Sequence, residues 1–307
     1  ALEQLETTYE NLKDKEEFKN EITDDLNNFV GRPSPLYFAK RWTEKLSGAK
    51  IYLKREDLQP IFSFKCRGAY NKISNLSDDQ KSRGIIAASA GNHAQGVAMS
   101  ASKLKISAVI VMPTTTPSIK IESVKKFGVE VLLFGDSFDE AYEHALKISE
   151  EEKRIFIHPF NDPLVIAGQG TVAKEIVEQV ENDPDIFFIP VGGGGLISGM
   201  SLYLKQKYPN SKVFGVESED APTLYASMKN GKPTSLEQVG LFVDGCAVKR
   251  IGDETFRISN QYVDGVILVS IDETCAAIKD IYEDTRIMSE PAGALSVAGM
   301  KKYILEN

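Results

Sequence analysis

Three segments carry residue types whose order could do chemistry. Lys65 lies in Ile61-Phe62-Ser63-Phe64-Lys65-Cys66-Arg67-Gly68-Ala69-Tyr70-Asn71, among apolar and small neighbours rather than charged ones. Desolvation disfavours the ammonium form and lowers the amine's pKa. Those are the conditions for a nucleophilic or Schiff-base-forming lysine. The competing reading is an amine that snorkels from a helix start along apolar surface. Gly192-Gly193-Gly194-Gly195-Leu196 follows a candidate strand ending at Val191 and opens a candidate helix. Backbone amides freed of side chains, at a helix N-terminus, form an anion cradle. We read it as a phosphate site in preference to a tight turn with no ligand. It is not Gly-x-Gly-x-x-Gly, and no Gly-Lys-Ser/Thr ends it, so dinucleotide and triphosphate loops fit less well.

The third segment, Ser89-Ala90-Gly91-Asn92-His93-Ala94-Gln95-Gly96, stands where strand 85–88 passes into a helix. Ligands of open α/β sheets bind at such strand ends. Asn92 is a hydrogen-bond donor to a ring hydroxyl or a helix N-cap. His93 is a candidate acid or base, although a packed histidine is the simpler reading. Other segments are weaker. Gly168-Gln169-Gly170-Thr171 reads as a backbone approach at a helix start, and Glu290-Pro291-Ala292-Gly293-Ala294 as a carboxylate capping a helix dipole. Glu217-Ser218-Glu219-Asp220 reads as a solvated acidic loop rather than a divalent-cation site. Asp244-Gly245 reads as a turn.

The elements that must position these residues alternate. Apolar runs at 51–54, 85–88, 108–112, 129–134, 186–191, 212–216 and 266–269 read as strands. Helical stretches lie at 92–104, 117–127, 137–153, 163–181 and 196–207, and a charged helix is expected over residues 1 to about 30, broken at Gly31-Arg32-Pro33-Ser34-Pro35. Short apolar strands between helices predict an α/β fold with parallel sheets covered on both faces. A length of 307 residues makes two lobes the natural division. With 42% hydrophobic and 26% charged residues the chain reads as globular, and a formal net charge of −8 argues against a nucleic-acid partner. No apolar run approaches the roughly 20 residues of a membrane-spanning helix. The three cysteines, Cys66, Cys246 and Cys275, have no paired spacing. A reducing compartment is expected, cytoplasmic or an organellar matrix after loss of a transit peptide, with neither disulfides nor a metal centre.

Taken in order, the lysine, the asparagine-bearing loop and the tetraglycine resemble the pyridoxal-phosphate enzymes of fold type II. Within them the chain resembles the biosynthetic threonine dehydratases (threonine ammonia-lyases) over about residues 54–304. The matching motifs are Ser63 to Asn71, Ser89 to Ala98, Pro113-Thr114-Thr115-Thr116-Pro117-Ser118-Ile119-Lys120, Val165 to Val172, Pro190 to Leu196, Glu283-Asp284-Thr285-Arg286 and Glu290 to Gly293. The resemblance implies pyridoxal 5'-phosphate as cofactor and Lys65 as the lysine joined to it. It also implies contacts from Phe64, Asn92 on the ring hydroxyl, Glu290, and the amides of Gly192, Gly193, Gly194, Gly195 and Leu196 on the phosphate. Ser89, Ala90, Gly91, Asn92 and His93 would hold the substrate carboxylate. The implied reaction turns L-threonine or L-serine into 2-oxobutyrate or pyruvate and ammonia. The implied division is a large lobe of residues 1–56 with 161–307 and a small mobile lobe of 57–160, in a homodimer or homotetramer.

Two departures bear on this. Residues 1–58 look more like the opening of the tryptophan synthase β subunit, with Val30 to Arg41 close to that family's wording. A β-replacement on serine is therefore an alternative, although Ala88-Ser89-Ala90 lacks the glutamate which that chemistry uses. The family's Ser-Gly-Ala-Asn strand against the pyridine nitrogen is expected beyond Asn307, and its regulatory domain is not expected within this chain. A cofactor-binding sensor without catalysis is a further alternative. Racemases of this fold place a serine where this chain has Ala90, and their second metal ligand falls at Thr223, so neither racemisation nor a divalent cation is expected.

Overall fold

The computed structural model describes residues 33–46 and 49–307. The helix expected over residues 1 to about 30 lies outside them. The chain begins with β1 (Leu36–Phe38), α1 (Lys40–Lys45) and β2 (Tyr52–Lys54), and then α2 (Lys65–Ser74) and α3 (Asp78–Arg83). An alternating run follows: β3 (Ile85–Ala88), α4 (Asn92–Leu104), β4 (Ala108–Met112), α5 (Ser118–Lys125), β5 (Glu130–Leu133), α6 (Phe138–Glu151) and β6 (Ile155–Phe156). After α7 (Pro163–Gln179) come β7 (Ile186–Pro190), α8 (Gly195–Lys207), β8 (Lys212–Ser218), α9 (Thr223–Asn230), α10 (Asp253–Tyr262), β9 (Gly265–Val269), α11 (Ile271–Thr285) and α12 (Pro291–Glu306).

Two parallel sheets result, ordered β5-β4-β3-β6 and β7-β8-β9, beside the antiparallel pair β1-β2. Every residue of β3 and β4 is buried. The reason is a helix layer on each face. Ile85, Ala87, Ile110 and Met112 pack on Ala69 and Ile73 of α2 and Val97 and Ala101 of α4. Ile86, Ala88, Val109 and Val111 meet Ala141 and Ala145 of α6 on the other face. This two-sided burial explains why these strands read as unbroken apolar runs instead of alternating. The second sheet is covered likewise: Phe187 and Ile189 face α7 and α8, while Val216 and Val269 face Leu295 and Ala298 of α12.

α7 joins the two halves, and its start corrects one expectation. The helix opens at Pro163, where Asp162 accepts the amides of Leu164 at 2.9 Å and Val165 at 3.2 Å. An aspartate cap followed by proline is the true start signal. Gly168-Gln169-Gly170-Thr171 therefore lies inside the helix, not at its beginning. Its glycines serve close approach: a Cβ on Gly168 would stand 2.6 Å from the Cα of Gly68 in α2.

Beneath α2 lies a buried charge cluster absent from the sequence reading. Arg67, 0% exposed, donates to Glu56 through Nε and Nη2 (2.8 Å each) and to Glu175 through Nη1 at 2.6 Å and Nη2 at 2.8 Å. Lys54 Nζ donates to Glu175 at 2.6 Å and to the Ser34 carbonyl at 2.7 Å. Two cations and two carboxylates thus tie β2, α2 and α7 together, two residues beyond Lys65.

Candidate active site

A cleft of about 2270 Å³ lies at the carboxyl ends of β3 and β7, where ligands collect in parallel sheets. Phe64, Lys65, Ser89, Ala90, Gly91, Asn92, His93, Gly192, Gly193, Gly194, Gly195, Leu196 and Glu290 all line it. The fold thus gathers into one cavity every residue singled out for the cofactor or substrate.

Lys65 is the first residue of α2, and its Nζ donates to the Pro159 carbonyl at 3.2 Å. Burial pushes the amine's pKa down to about 8, against the opposing influence of Cys246 and Glu290. Three residues earlier, Phe62 holds a φ of 58° and is 73% exposed. A left-handed bulky residue is strained, and such strain gathers at functional sites.

The glycine turn leaves β7 and enters α8 through Gly194, whose φ of 88° suits glycine alone. No side chain caps α8, so its first amides have no partner within the helix or from a cap. The turn is held from behind, with Thr255 Oγ1 donating to the Gly193 carbonyl at 2.8 Å and the Phe160 ring packed on Gly193. The site therefore offers bare amides, a helix N-terminus and a partly deprotonated amine in one cleft. This donor set fits a phosphorylated aldehyde.

Asn92 opens α4, but its side chain caps nothing: Nδ2 donates to Glu290 Oε1 at 2.9 Å, 198 positions away. Glu290 correspondingly corrects the capping expectation. It occupies the N-cap position of α12 without a side-chain capping bond, because its carboxylate turns into the cleft towards Asn92. Burial raises its pKa, with Asp244 adding to the effect and Asn92, Lys120 and Lys65 opposing it. Ser89 Oγ accepts the Gly91 amide at 3.3 Å and shapes the loop. The His93 ring is 3% exposed, with Nε2 donating to the Ile157 carbonyl at 2.9 Å. Burial, with a contribution from Lys65, pushes its pKa down to about 3. That ring is a packing group, which leaves only the backbone of His93 for a substrate.

Glu217 overturns the solvated-loop reading. β8 runs through Ser218, so Glu217 is fully buried and only Glu219 and Asp220 are exposed. Its carboxylate accepts the amides of Leu224 at 2.7 Å and Tyr225 at 2.9 Å, capping α9, and burial pushes its pKa up to about 7. Asp244-Gly245 is a tight 3-10 turn, and Lys120 of α5 bonds Asp244 at 2.6 Å across the cleft. Lys249 meets Asp139 at 2.6 Å in the same way. Among the described residues no group of three or more His, Cys, Asp or Glu is arranged for a metal, and no helix is long and apolar enough to cross a membrane.

Fold and cleft define an α/β protein whose parallel sheets open on a site with bare glycine amides and a buried lysine amine. Residues 28–307 match the family model described as pyridoxal-phosphate dependent enzyme, and the chain belongs to that family, with pyridoxal phosphate as its cofactor. It is 55% identical over 278 residues to a biosynthetic L-threonine dehydratase of Pasteurella multocida, covering 91% of this chain and 54% of that protein. The chain spans about half the length of the curated relatives it matches. That alignment takes in part of residues 1–58, so the synthase-like wording there stands within a dehydratase-like sequence. Among solved structures, the processed form of threonine deaminase isoform 2 from Solanum lycopersicum matches with a TM-score of 0.87 and 45% identity, covering 94% of this chain and 85% of that one. Serine racemase from Dictyostelium discoideum matches with a TM-score of 0.84 and 32% identity, covering 94% and 93%. These matches share the type II fold of pyridoxal-phosphate enzymes.

Proposed function

We propose that this enzyme eliminates water from L-threonine, and from L-serine, leaving an enamine product that takes up water again and hydrolyses to 2-oxobutyrate or pyruvate and ammonia. The observation that carries the reading is that the buried Lys65 amine, its pKa pushed down to about 8 by burial, and the bare glycine turn line one cleft. At neutral pH about a tenth of such an amine is uncharged and nucleophilic. Pyridoxal phosphate supplies the electron sink for the pair left when the Cα–H bond breaks.

Each part of the chain then has a task. The amides of Gly192–Leu196 hold the phosphate, aided by the dipole of α8. Asn92 meets the ring hydroxyl, its amide steadied by Glu290. Backbone amides from Ser89 to His93, at the start of α4, bind the substrate carboxylate. Lys65 Nζ would be the point of attachment for the cofactor and, when free, would carry the α-proton. Ala90 offers no titratable group for the opposite face, which supports elimination over racemisation. Segment 57–160 forms the smaller lobe, and the Lys120–Asp244 and Lys249–Asp139 pairs meet across its edge. A homo-oligomer in the cytoplasm or an organellar matrix is the expected setting, in keeping with three free cysteines.

The test is an assay for 2-oxo acid and ammonia with threonine, with serine, and with serine plus indole. Oxo acid from threonine supports the proposal. Tryptophan from the indole arm, or binding of cofactor without turnover, would refute it.

A further inference from the structure

The loop between β6 and α7, His158-Pro159-Phe160-Asn161, touches three parts of the cleft. The Pro159 carbonyl accepts Lys65 Nζ at 3.2 Å. The Phe160 ring covers Gly193, and its Cα would stand 3.2 Å from a Cβ on Gly195. Asn161 Oδ1 accepts the Glu254 amide at 3.0 Å, next to the Thr255 that holds the Gly193 carbonyl. One side chain sets the course of this loop. His158 Nδ1 accepts the amides of Asn161 at 2.8 Å and Phe160 at 3.2 Å. An imidazole nitrogen can accept only when it carries no proton, so the ring is neutral with its hydrogen on Nε2.

The ring is wedged edge-on among Tyr142, Phe156 and Phe160, with centroids 6.4, 6.3 and 4.7 Å away. Any aromatic ring could fill that volume. Only one with an acceptor at the δ position could also gather two amides, and this makes histidine specific here.

We propose that His158 is a positioning residue for the cofactor lysine: its unprotonated Nδ1 folds residues 158–161 so that Pro159 holds Lys65 and Phe160 backs the glycine turn. The proposal rests on reading Lys65 as the cofactor lysine. His158 lines the cleft, but its Nδ1 is taken up by the two loop amides, and the proposal gives it no part in the reaction itself. The groups facing Lys65 are Cys246, Glu290, His93 and His158.

Asparagine places its side-chain oxygen near the Nδ1 position, whereas glutamine reaches the Nε2 position instead. His158→Asn and His158→Gln therefore separate acceptor geometry from bulk and polarity. Two readouts apply: the pyridoxal phosphate dissociation constant, and the pH profile of Lys65 acylation in cofactor-free protein. His158→Gln is expected to weaken cofactor binding about tenfold or more, from the loss of two amide bonds, and to move the Lys65 profile. His158→Asn is expected to stay within about threefold of wild type with an unmoved profile. Equal effects of the two variants, or none from either, would overturn the proposal. Should neither variant fold, nitrogen NMR of histidine-labelled wild type decides it: a bare Nδ1 at neutral pH supports the proposal, and a proton there overturns it. Lys65→Ala keeps the two readings apart, since cofactor still joined covalently in that variant would sink the lysine assignment and leave the NMR result standing.

Discussion

Replacing Arg67 by methionine removes a fully buried guanidinium while keeping much of its length. The loss can be worked from the cluster. Arg67 and Lys54 balance Glu56 and Glu175, but Lys54 Nζ reaches only Glu175, at 2.6 Å. Glu56, 14% exposed at its side chain, keeps only Ser34 Oγ and a 3.3 Å contact from Gln59 Nε2. Breaking a buried pair from one side typically costs about 3–5 kcal/mol, because a charge is stranded. Against a total of about 5–15 kcal/mol this is a severe loss. Urea unfolding, followed by both circular dichroism and intrinsic fluorescence, measures it. Adding Glu56→Gln should restore part of the loss by removing the stranded charge. A single-variant loss under about 1 kcal/mol, or no recovery in the double variant, would refute the reasoning. The pH dependence supplies a second check. Burial alone would raise the Glu175 pKa, but Arg67 and Lys54 outweigh it and hold the carboxyl below its ordinary value. A depressed carboxylate stabilises above its unfolded pKa, and that contribution fades as pH falls through the folded one. Arg67→Met should remove much of this acid-side slope.

Three further outcomes are expected. Gly194→Ala forces a Cβ at φ 88°, 3.0 Å from Thr255, costing about 1–2 kcal/mol; a cofactor titration should show weakened binding. His93 and His158 are held neutral by burial, with values near 3 and 4. The unfolded rings take up protons first, so stability should fall as pH drops below about 6.5 and level once the folded rings titrate; calorimetry across pH 4–7 would detect up to about 3 kcal/mol per ring. Lys249→Ala breaks an exposed pair with Asp139, so urea denaturation should register less than about 1 kcal/mol of lost stability.

What could be read in the sequence was local. Lys65, Asn92 and the four glycines announce themselves through their immediate neighbours, and the buried strands through unbroken apolar runs. The capping boxes at Ser137–Glu140 and Ser270–Glu273 are equally local, yet α11, which the second one starts, was not anticipated from the sequence. The rest depends on contacts between distant positions. Nothing near Arg67 signals that Glu175, 108 residues on, will share its burial. Asn92 and Glu290 each looked like a helix terminus until the fold brought them together. Glu217 looked solvated because Glu219 and Asp220 follow it, whereas β8 carries it into the interior. His158 is an intermediate case: its amide partners lie two and three residues away, but only the backbone path turns them towards Nδ1.

The proposed chemistry requires that Lys65 be the residue joined to the cofactor. Borohydride reduction of the purified, cofactor-loaded protein, followed by peptide mass mapping, tests it most directly. A single pyridoxyl group should be found on Lys65, and both it and 2-oxobutyrate formation from threonine should be lost in Lys65→Ala. Attachment to any other lysine, or covalent cofactor retained by Lys65→Ala, would contradict it.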